Sequence, residues 1–449
     1  MENGIPQGSP LSCTLFSIAI NEIATGIDDN VSHCIYVDDV TLFCSGKTIG
    51  DISRKIQKSI NIIHKNGANT KPKYVHFCRL RKPHNDPTLY LGQQIIRGVT
   101  EVKFLGLIFD SKLTWRSHIA NLIVRCRKVL NIFKTLAHTV WGAEPKTLLK
   151  VYQALVLSRI DYGCQAYSSA RNSMLKQLDT IHHAGIRYCI GAFPTSPVES
   201  LYCESGLSSL QIRRNRLIGT YFLKTLANPS NPNNEFIWKS SELYKTRPTI
   251  TRPAGARFIS LLESLNFPLP EILIQSAQQQ TINITDNILS RICNCNRLII
   301  FMDGSKTDNG VGCAFVVKGR QYSWTLHKYW SVYSAEHNVG GHLKNIRPSV
   351  LLQPTHFSLN RINEVKMHRL RIGHTKLTHC HLLQGRPPPS CDECETQLTV
   401  QHILCNYPKF EIERRTHGVK HDVASNLSSK ECVLQVLKYL KEINIFEEL

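Results

Sequence analysis

Tyr36-Val37-Asp38-Asp39 lies between two short apolar runs, Cys34-Ile35 before it and Val40-Thr41-Leu42-Phe43-Cys44 after it. Two strands joined at paired carboxylates give a hairpin pattern. Adjacent carboxylates on a tight turn suit hard Mg²⁺ ions, which take oxygen ligands and bridge to substrate phosphates. By itself an Asp pair at a hairpin is more often simple turn chemistry, because Asp bonds readily to nearby backbone. A second cluster changes the balance. Upstream lies Gly4-Ile5-Pro6-Gln7-Gly8-Ser9-Pro10-Leu11-Ser12, with Ser9 and Pro10 as helix-start signals and Leu11, Leu15, Ile18, Ala19 and Ile23 at helical spacing over residues 9–27. Gly8 leaves room for backbone to approach a nucleotide, and a helix start offers free N–H groups to anions. A Gly-Ser-Pro before a helix is usually only a cap. The two clusters in this order, at this spacing, point together to a phosphate- and metal-handling centre.

Outward from these clusters, residues 51–64 predict a helix, and 74–78 and 89–109 short strands with turns at Gly92, Gly98 and Gly106. From Trp115 to about Tyr244 the pattern is helical, and Leu148, Leu149, Tyr152, Leu155, Val156 and Ile160 form one apolar face. Asn and Pro at 228–234 mark a loop, and Thr, Pro and Gln over 246–290 a connector. A strand-rich block at 297–327, a basic helix at 358–371 and a Cys/His-rich tail complete the chain.

Composition sets the class. The 449 residues are 42% hydrophobic and 20% charged, which excludes a wholly disordered chain. Lys and Arg number 54 against 34 Asp and Glu, a net charge of +20 that favours a polyanionic partner through counterion release. A ribosomal or membrane-surface protein would share that charge. Residues Met1 to Pro10 lack a signal-peptide pattern, and no apolar run reaches the ~18 residues of a membrane span. The 16 scattered cysteines then read as reduced thiols in an intracellular protein, nuclear or cytoplasmic, with no membrane partner.

Taken together, Gly4–Ser12 and Tyr36–Asp39 resemble the reverse transcriptases, and among them those of the jockey-type non-LTR retrotransposons, over residues 3 to about 415. The resemblance implies RNA-directed DNA polymerisation on an RNA template with a DNA primer, that is, an RNA–DNA hybrid, by a two-metal Mg²⁺ reaction. It makes Asp38 and Asp39 the catalytic metal-binding acids, and Gln7, Gly8, Ser9, Pro10 and Tyr36 template- and nucleotide-positioning residues. Lys71 or Lys73 matches the next motif's lysine, and Phe104, Leu105 and Gly106 of Lys103–Gly106 match the primer grip. The helical stretch with Ser158-Arg159-Ile160-Asp161-Tyr162-Gly163 resembles the thumb and the connecting segment beyond it. The family's third acid lies on an earlier strand, whereas only six residues precede Gln7 and Glu2 is the sole acid among them. The expectation is therefore an N-terminally truncated, inactive polymerase. A complete enzyme beyond these residues, or a non-catalytic RNA- or DNA-binding protein derived from a retroelement, are the alternatives.

Leu298–Ser305 reads as a strand ending in an acid, Asp308-Asn309-Gly310 as a hairpin turn, and 311–317 and 321–327 as the next strands. With Ser334-Ala335-Glu336 opening a helix, the block resembles the start of a ribonuclease H domain. Asp303 and Glu336 match two of its metal-binding acids; no Asp lies between Asp308 and Asp392 to supply the rest. In the tail, Cys391, Cys394, His402 and Cys405 offer sulfur and imidazole for a tetrahedral Zn²⁺; reduced thiols in a small packed motif are the alternative. Arg361, Lys366, Arg369 and Arg371 on the preceding helix read as a solvated basic face or a phosphate-tracking one. The expected architecture is an α+β multidomain chain. It comprises a partial reverse-transcriptase palm (1–112), a helical thumb and connector (113–245), a linker (246–290) and a truncated RNase H-like sheet (291–340). A basic helix with the Cys/His-rich segment (341–425) and a C-terminal helix (426–449) complete it.

Overall fold

The computed structural model describes residues 10–66, 72–78, 85–226, 228, 230–246, 255, 305–307, 310–317, 320–325 and 357–449. The fold is mixed helix and sheet and divides into two compact units, Met1–His118 and Ile119–Leu449. No helix among the described residues is long and apolar enough to cross a membrane.

The first unit opens with α1 (Pro10–Asn21), whose Leu11, Leu15 and Ile18 form an exposed stripe rather than a core face. A hairpin, β1 (Ser32–Tyr36) and β2 (Asp39–Phe43), precedes α2 (Ile49–Lys65). Thr48 caps α2 by accepting from the Asp51 amide at 3.3 Å, and Asp51 adds negative charge where the helix dipole favours it. Gln57 on α2 then substitutes for a strand neighbour: its amide donates to the Tyr90 carbonyl and accepts from the Tyr90 N–H, both at 2.8 Å. That bond pair fixes the antiparallel pair β4 (Tyr90–Leu91) and β5 (Gln94–Ile95) onto the helix, while β3 (Lys73–Tyr74) and β6 (Arg97–Gly98) form a separate parallel pair. Gly92 and Gly106 make turns at φ 61° and 82°, as the sequence predicts. Gly98 does not; it sits in β6, where a Cβ would come within 2.7 Å of the Tyr74 hydroxyl. Its role is close approach of two strands. The last hairpin is β7 (Glu101–Phe104) and β8 (Leu107–Asp110).

The second unit carries the main core. α3 (Arg116–Leu136) buries Ile119, Leu122, Cys126, Val129, Leu130 and Phe133 along one face. α4 (Pro145–Tyr152) continues through a π-turn, Gln153–Leu157, into α5 (Ser158–Asp161). The wide turn shifts the phase of the apolar face expected here. Leu155 is therefore 43% exposed while Leu157 is buried with Leu148, Leu149, Tyr152, Val156 and Ile160. α6 (Cys164–Tyr167), α7 (Asn172–Ile190), α8 (Val198–Ser205), α9 (Leu210–Leu226) and α10 (Asn233–Thr246) complete the bundle. At the crossing of α4 and α7 a Cβ on Gly185 would lie 2.2 Å from the Tyr152 ring, so only glycine fits. Farther on, β9 (Ser305–Thr307), β10 (Gly310–Val317) and β11 (Arg320–Thr325) form an antiparallel sheet in the order β11-β10-β9.

α11 (Arg361–Ile372) overturns both readings of the basic helix. Arg361, Lys366 and Arg371 are buried, not solvated, and not free for phosphate. Arg361 donates to the carbonyls of Cys189 (2.6 Å), Tyr188 (3.0 Å), Ala137 (3.2 Å) and His138 (3.4 Å), so one guanidinium satisfies the C-terminal ends of α3 and α7. Burial lowers it to about 10, still charged at neutral pH. Arg369 donates to the Gly191 carbonyl at 2.9 Å, and His368 meets Glu204 of α8 at 2.7 Å. The segments after α11 are α12 (Lys376–Gln384), α13 (Glu411–Thr416), α14 (Val423–Asn426) and α15 (Lys430–Glu442). They close over a core of Met367, Leu370, Ile403, Leu404, Val436 and Tyr439.

Candidate active site and metal centre

The twin-acid hairpin has a two-residue turn. Tyr36 pairs with Asp39 across the ladder, which leaves Val37 and Asp38 as the turn itself. Val37 takes φ 54°, the left-handed conformation that primed hairpin turns require. For a β-branched residue that is unfavourable by roughly 1–2 kcal/mol. The result puts Asp38 at the tip and Asp39 at the first position of β2, both exposed, with Tyr36 58% and Val37 61% exposed beside them. Two adjacent, solvated carboxylates are a hard oxygen donor set of the kind Mg²⁺ takes. Among the described residues no third acid, His or Cys joins them in a compact group. Gln7, Gly8 and Ser9 lie outside the described residues, and Pro10 is the first residue of α1.

The second hairpin is built the same way. Phe104 pairs with Leu107, and Leu105 (φ 44°) and Gly106 (φ 82°) make the turn, with Phe104 and Leu105 half-buried and Gly106 exposed. Its stem is locked by Asp110, which sequence reasoning missed. One carboxylate oxygen accepts from the amides of Lys112 (3.2 Å) and Thr114 (2.9 Å), and the other from the Trp115 amide (2.7 Å). Those bonds hold Leu113 and Trp115 at φ 51° and 63°, and Trp115 packs on Phe109 at 5.0 Å. The signal was an Asp followed by Ser-Lys at a strand end, an Asx-turn pattern. Lys73 is exposed on β3; Lys71 lies outside the described residues, as do Asp303 and Glu336.

In the tail, the ligand atoms of Cys391, Cys394 and His402 all lie within 4.8 Å of one another, and Cys394 Sγ is 3.5 Å from His402 Nε2. Hydrogen bonds from Thr396, chiefly, hold the Cys394 thiol below its usual range, and burial does the same to His402. Both shifts favour the metal-binding forms, thiolate and neutral imidazole. Cys405 is not brought to this group. It is buried, its sulfur faces the Lys420 carbonyl at 3.8 Å, and burial raises its thiol to about 11. The cause is a π-turn over His402–Asn406, which carries Cys405 off the face that presents His402.

Residues 1–109 match the family model for reverse transcriptase (RNA-dependent DNA polymerase). The chain is 24% identical over 207 residues to the RNA-directed DNA polymerase from mobile element jockey of Drosophila melanogaster, covering 42% of this chain and 22% of that one. It carries a reverse-transcriptase domain of the jockey-type non-LTR retrotransposon lineage. The Drosophila funebris jockey polymerase is 23% identical over 203 residues (43% and 22% of the two chains). The probable RNA-directed DNA polymerase from transposon X-element of Drosophila melanogaster is 22% identical over 232 residues (49% and 24%). The chain thus spans about a fifth of the length of the jockey polymerases it matches. No solved structure matches it.

Within this reverse-transcriptase domain both two-residue hairpins, with the acids and with Phe104–Gly106, fall inside the matched segment. The Cys/His centre and the β9–β11 sheet fall outside it.

Proposed function

We propose that the chain serves RNA-directed DNA synthesis for a non-LTR retrotransposon, with the Tyr36–Asp39 hairpin as the metal-binding part of its nucleotidyl-transfer centre. The observation that carries this is the pair of exposed carboxylates at the tip of a two-residue turn inside the segment that matches the reverse-transcriptase family. Asp38 and Asp39 would hold Mg²⁺. When bound, those ions supply activation of a primer 3′-hydroxyl and neutralise charge on the leaving pyrophosphate. Tyr36, exposed at the base of the turn, is available to pack on an incoming nucleotide, with Gln7, Gly8, Ser9 and Pro10 as template- and nucleotide-positioning residues. Lys73, or Lys71, would meet the nucleotide's phosphates, and the Phe104–Gly106 hairpin would grip the primer strand. On this reading residues 1–112 act as palm and residues 113–245, helices α3 to α10, as thumb and connector. The β9–β11 sheet belongs to an RNase H-like segment with Asp303 and Glu336 as its acids. Cys391, Cys394 and His402 would hold Zn²⁺, which suits their sulfur and nitrogen donors.

A second reading, nucleic-acid binding without catalysis, is favoured by α3 and α4. From Arg116 to Tyr152 they and their connecting loop carry Arg125, Arg127, Lys128, Lys134, Lys146 and Lys150 against the single acid Glu144. RNA-templated extension of a DNA primer separates the two. Mg²⁺-dependent incorporation that disappears in Asp38→Asn and in Asp39→Asn supports the polymerase reading. Incorporation that survives both substitutions refutes it, and hybrid binding without incorporation favours the second.

A further inference from the structure

The loop between α3 and α4 exposes an aromatic platform. Trp141 is 62% exposed and Val140 57%. The His138 ring lies 4.8 Å from the Trp141 ring and only 12° from parallel to it. The stacked indole still presents a large apolar area to water.

The platform is rigid. Val140 donates its amide to His138 Nδ1 at 3.2 Å, which fixes the imidazole. The Gly142 amide donates to the His138 carbonyl at 3.0 Å and the Ala143 amide to the Leu136 carbonyl at 3.0 Å. A Cβ on Gly142 would sit 2.3 Å from that His138 carbonyl, so the loop closes this tightly only with glycine. From beneath, the buried Arg361 guanidinium donates to the Ala137 and His138 carbonyls. Holding two stacked rings in place in advance removes much of the ordering cost of binding.

Its surroundings are cationic. Lys134 in the last turn of α3 and Lys146 at the start of α4 flank the loop in sequence, and both are exposed. α3 carries no Asp or Glu, and Glu144 is the one acid in the sequence from Arg116 to Tyr152. Stacked aromatic faces beside solvated cations form the pair of features that bind unpaired bases and their phosphates together.

We propose that the His138–Trp141 loop is a base-stacking site for single-stranded nucleic acid. The inference rests on the nucleic-acid reading above and adds a specific contact in the second unit. A duplex, whose bases are already stacked, does not use the platform; an unpaired template or displaced strand does.

The test uses the full chain and a fluorescein-labelled single-stranded RNA oligonucleotide, read by anisotropy across a salt series. Trp141→Ala should weaken binding by about tenfold, and Trp141→Phe should restore most of it, because stacking needs a ring rather than an indole. The slope of log affinity against log salt should stay unchanged in both, whereas Lys134→Gln with Lys146→Gln should flatten it. Affinity for a blunt RNA–DNA hybrid should not change in Trp141→Ala. RNA should also quench tryptophan emission in the wild type more than in Trp141→Phe, a readout that does not depend on the alanine variant folding well. A change of less than twofold in Trp141→Ala overturns the proposal, as does an equal loss on single strand and hybrid. Unchanged RNA affinity with lost self-association would assign the loop to a protein contact and overturn it too. A wild-type chain that binds no nucleic acid at any salt removes this site and the proposed function together. One that binds but ignores Trp141 removes this site alone.

Discussion

Arg361→Met removes a guanidinium while keeping an unbranched side chain of similar length. Four backbone carbonyls at the ends of α3 and α7 then lose their donor, and the side chain that supplied it is only 4% exposed. A buried acceptor left unpaired costs about 1–3 kcal/mol. The His138 carbonyl retains the Gly142 amide, so three carbonyls bear the loss, and partial relaxation brings the total to about 3–5 kcal/mol, the range for breaking a buried charged contact. Favourable interaction of the cation with the two helix C-termini disappears as well. Against a typical domain stability of about 5–15 kcal/mol this is a large fraction. Urea denaturation followed by far-UV circular dichroism should show a lower midpoint for the unit containing α3 through α15. Arg361→Lys, with one compact ammonium instead of a planar fork, should recover only part of it. A loss below about 0.5 kcal/mol, the effect of an ordinary surface substitution, would rule out the buried clasp and restore the solvated basic face.

Acid should loosen the same unit through His182. Burial drives its imidazole from 6.5 down to about 3, with Tyr152 on Nδ1 at 2.8 Å and the Ser208 carbonyl on Nε2 at 3.1 Å. The unfolded chain then binds the extra proton, so this stability is complete above pH 6.5 and is lost as pH falls towards 3. At pH 5 the loss is about 2 kcal/mol. His182→Gln should show that much less difference between pH 7 and pH 5 in urea midpoints, and an equal difference would contradict it. Asp110→Ala should release the β7–β8 stem, costing about 2–3 kcal/mol locally for the lost amide bonds and the two left-handed residues they hold. Amide exchange at Thr114 and Trp115 should rise sharply; unchanged protection would count against the anchor. Zinc titration should load Cys391, Cys394 and His402, with Cys394→Ser abolishing tight binding and Cys405→Ser sparing it. Equal losses in both variants would place Cys405 among the ligands after all.

The sequence announces the parts of this fold whose rules are local. Both hairpins are legible because short apolar runs flank a turn-forming residue, Asp38 in one and Gly106 in the other, although the left-handed turn position of the first falls on Val37. The helices over 116–226 follow from apolar spacing, and the strands expected at 311–317 and 321–327, after the Asp308-Asn309-Gly310 turn signal, are seen as β10 and β11, with 326–327 outside the described residues. What stays hidden depends on partners far away in the chain. The donors of Arg361 reach carbonyls 172 and 224 residues away, so a helix that reads as basic and solvated becomes a buried clasp. Two π-turns, Gln153–Leu157 and His402–Asn406, add a residue to a helical turn without any proline or glycine to mark them. The first moves Leu155 into solvent, and the second takes Cys405 away from Cys391, Cys394 and His402.

Metal binding at the twin-acid turn is the property on which the polymerase reading stands. Mn²⁺, a paramagnetic stand-in for Mg²⁺, is titrated by electron paramagnetic resonance into the full chain holding an RNA template, a DNA primer and a deoxynucleotide. Bound Mn²⁺ should be displaced by excess Mg²⁺ and lost when Asp38→Asn is combined with Asp39→Asn. Mn²⁺ binding identical in wild type and double variant would remove the two carboxylates from the proposed nucleotidyl-transfer centre.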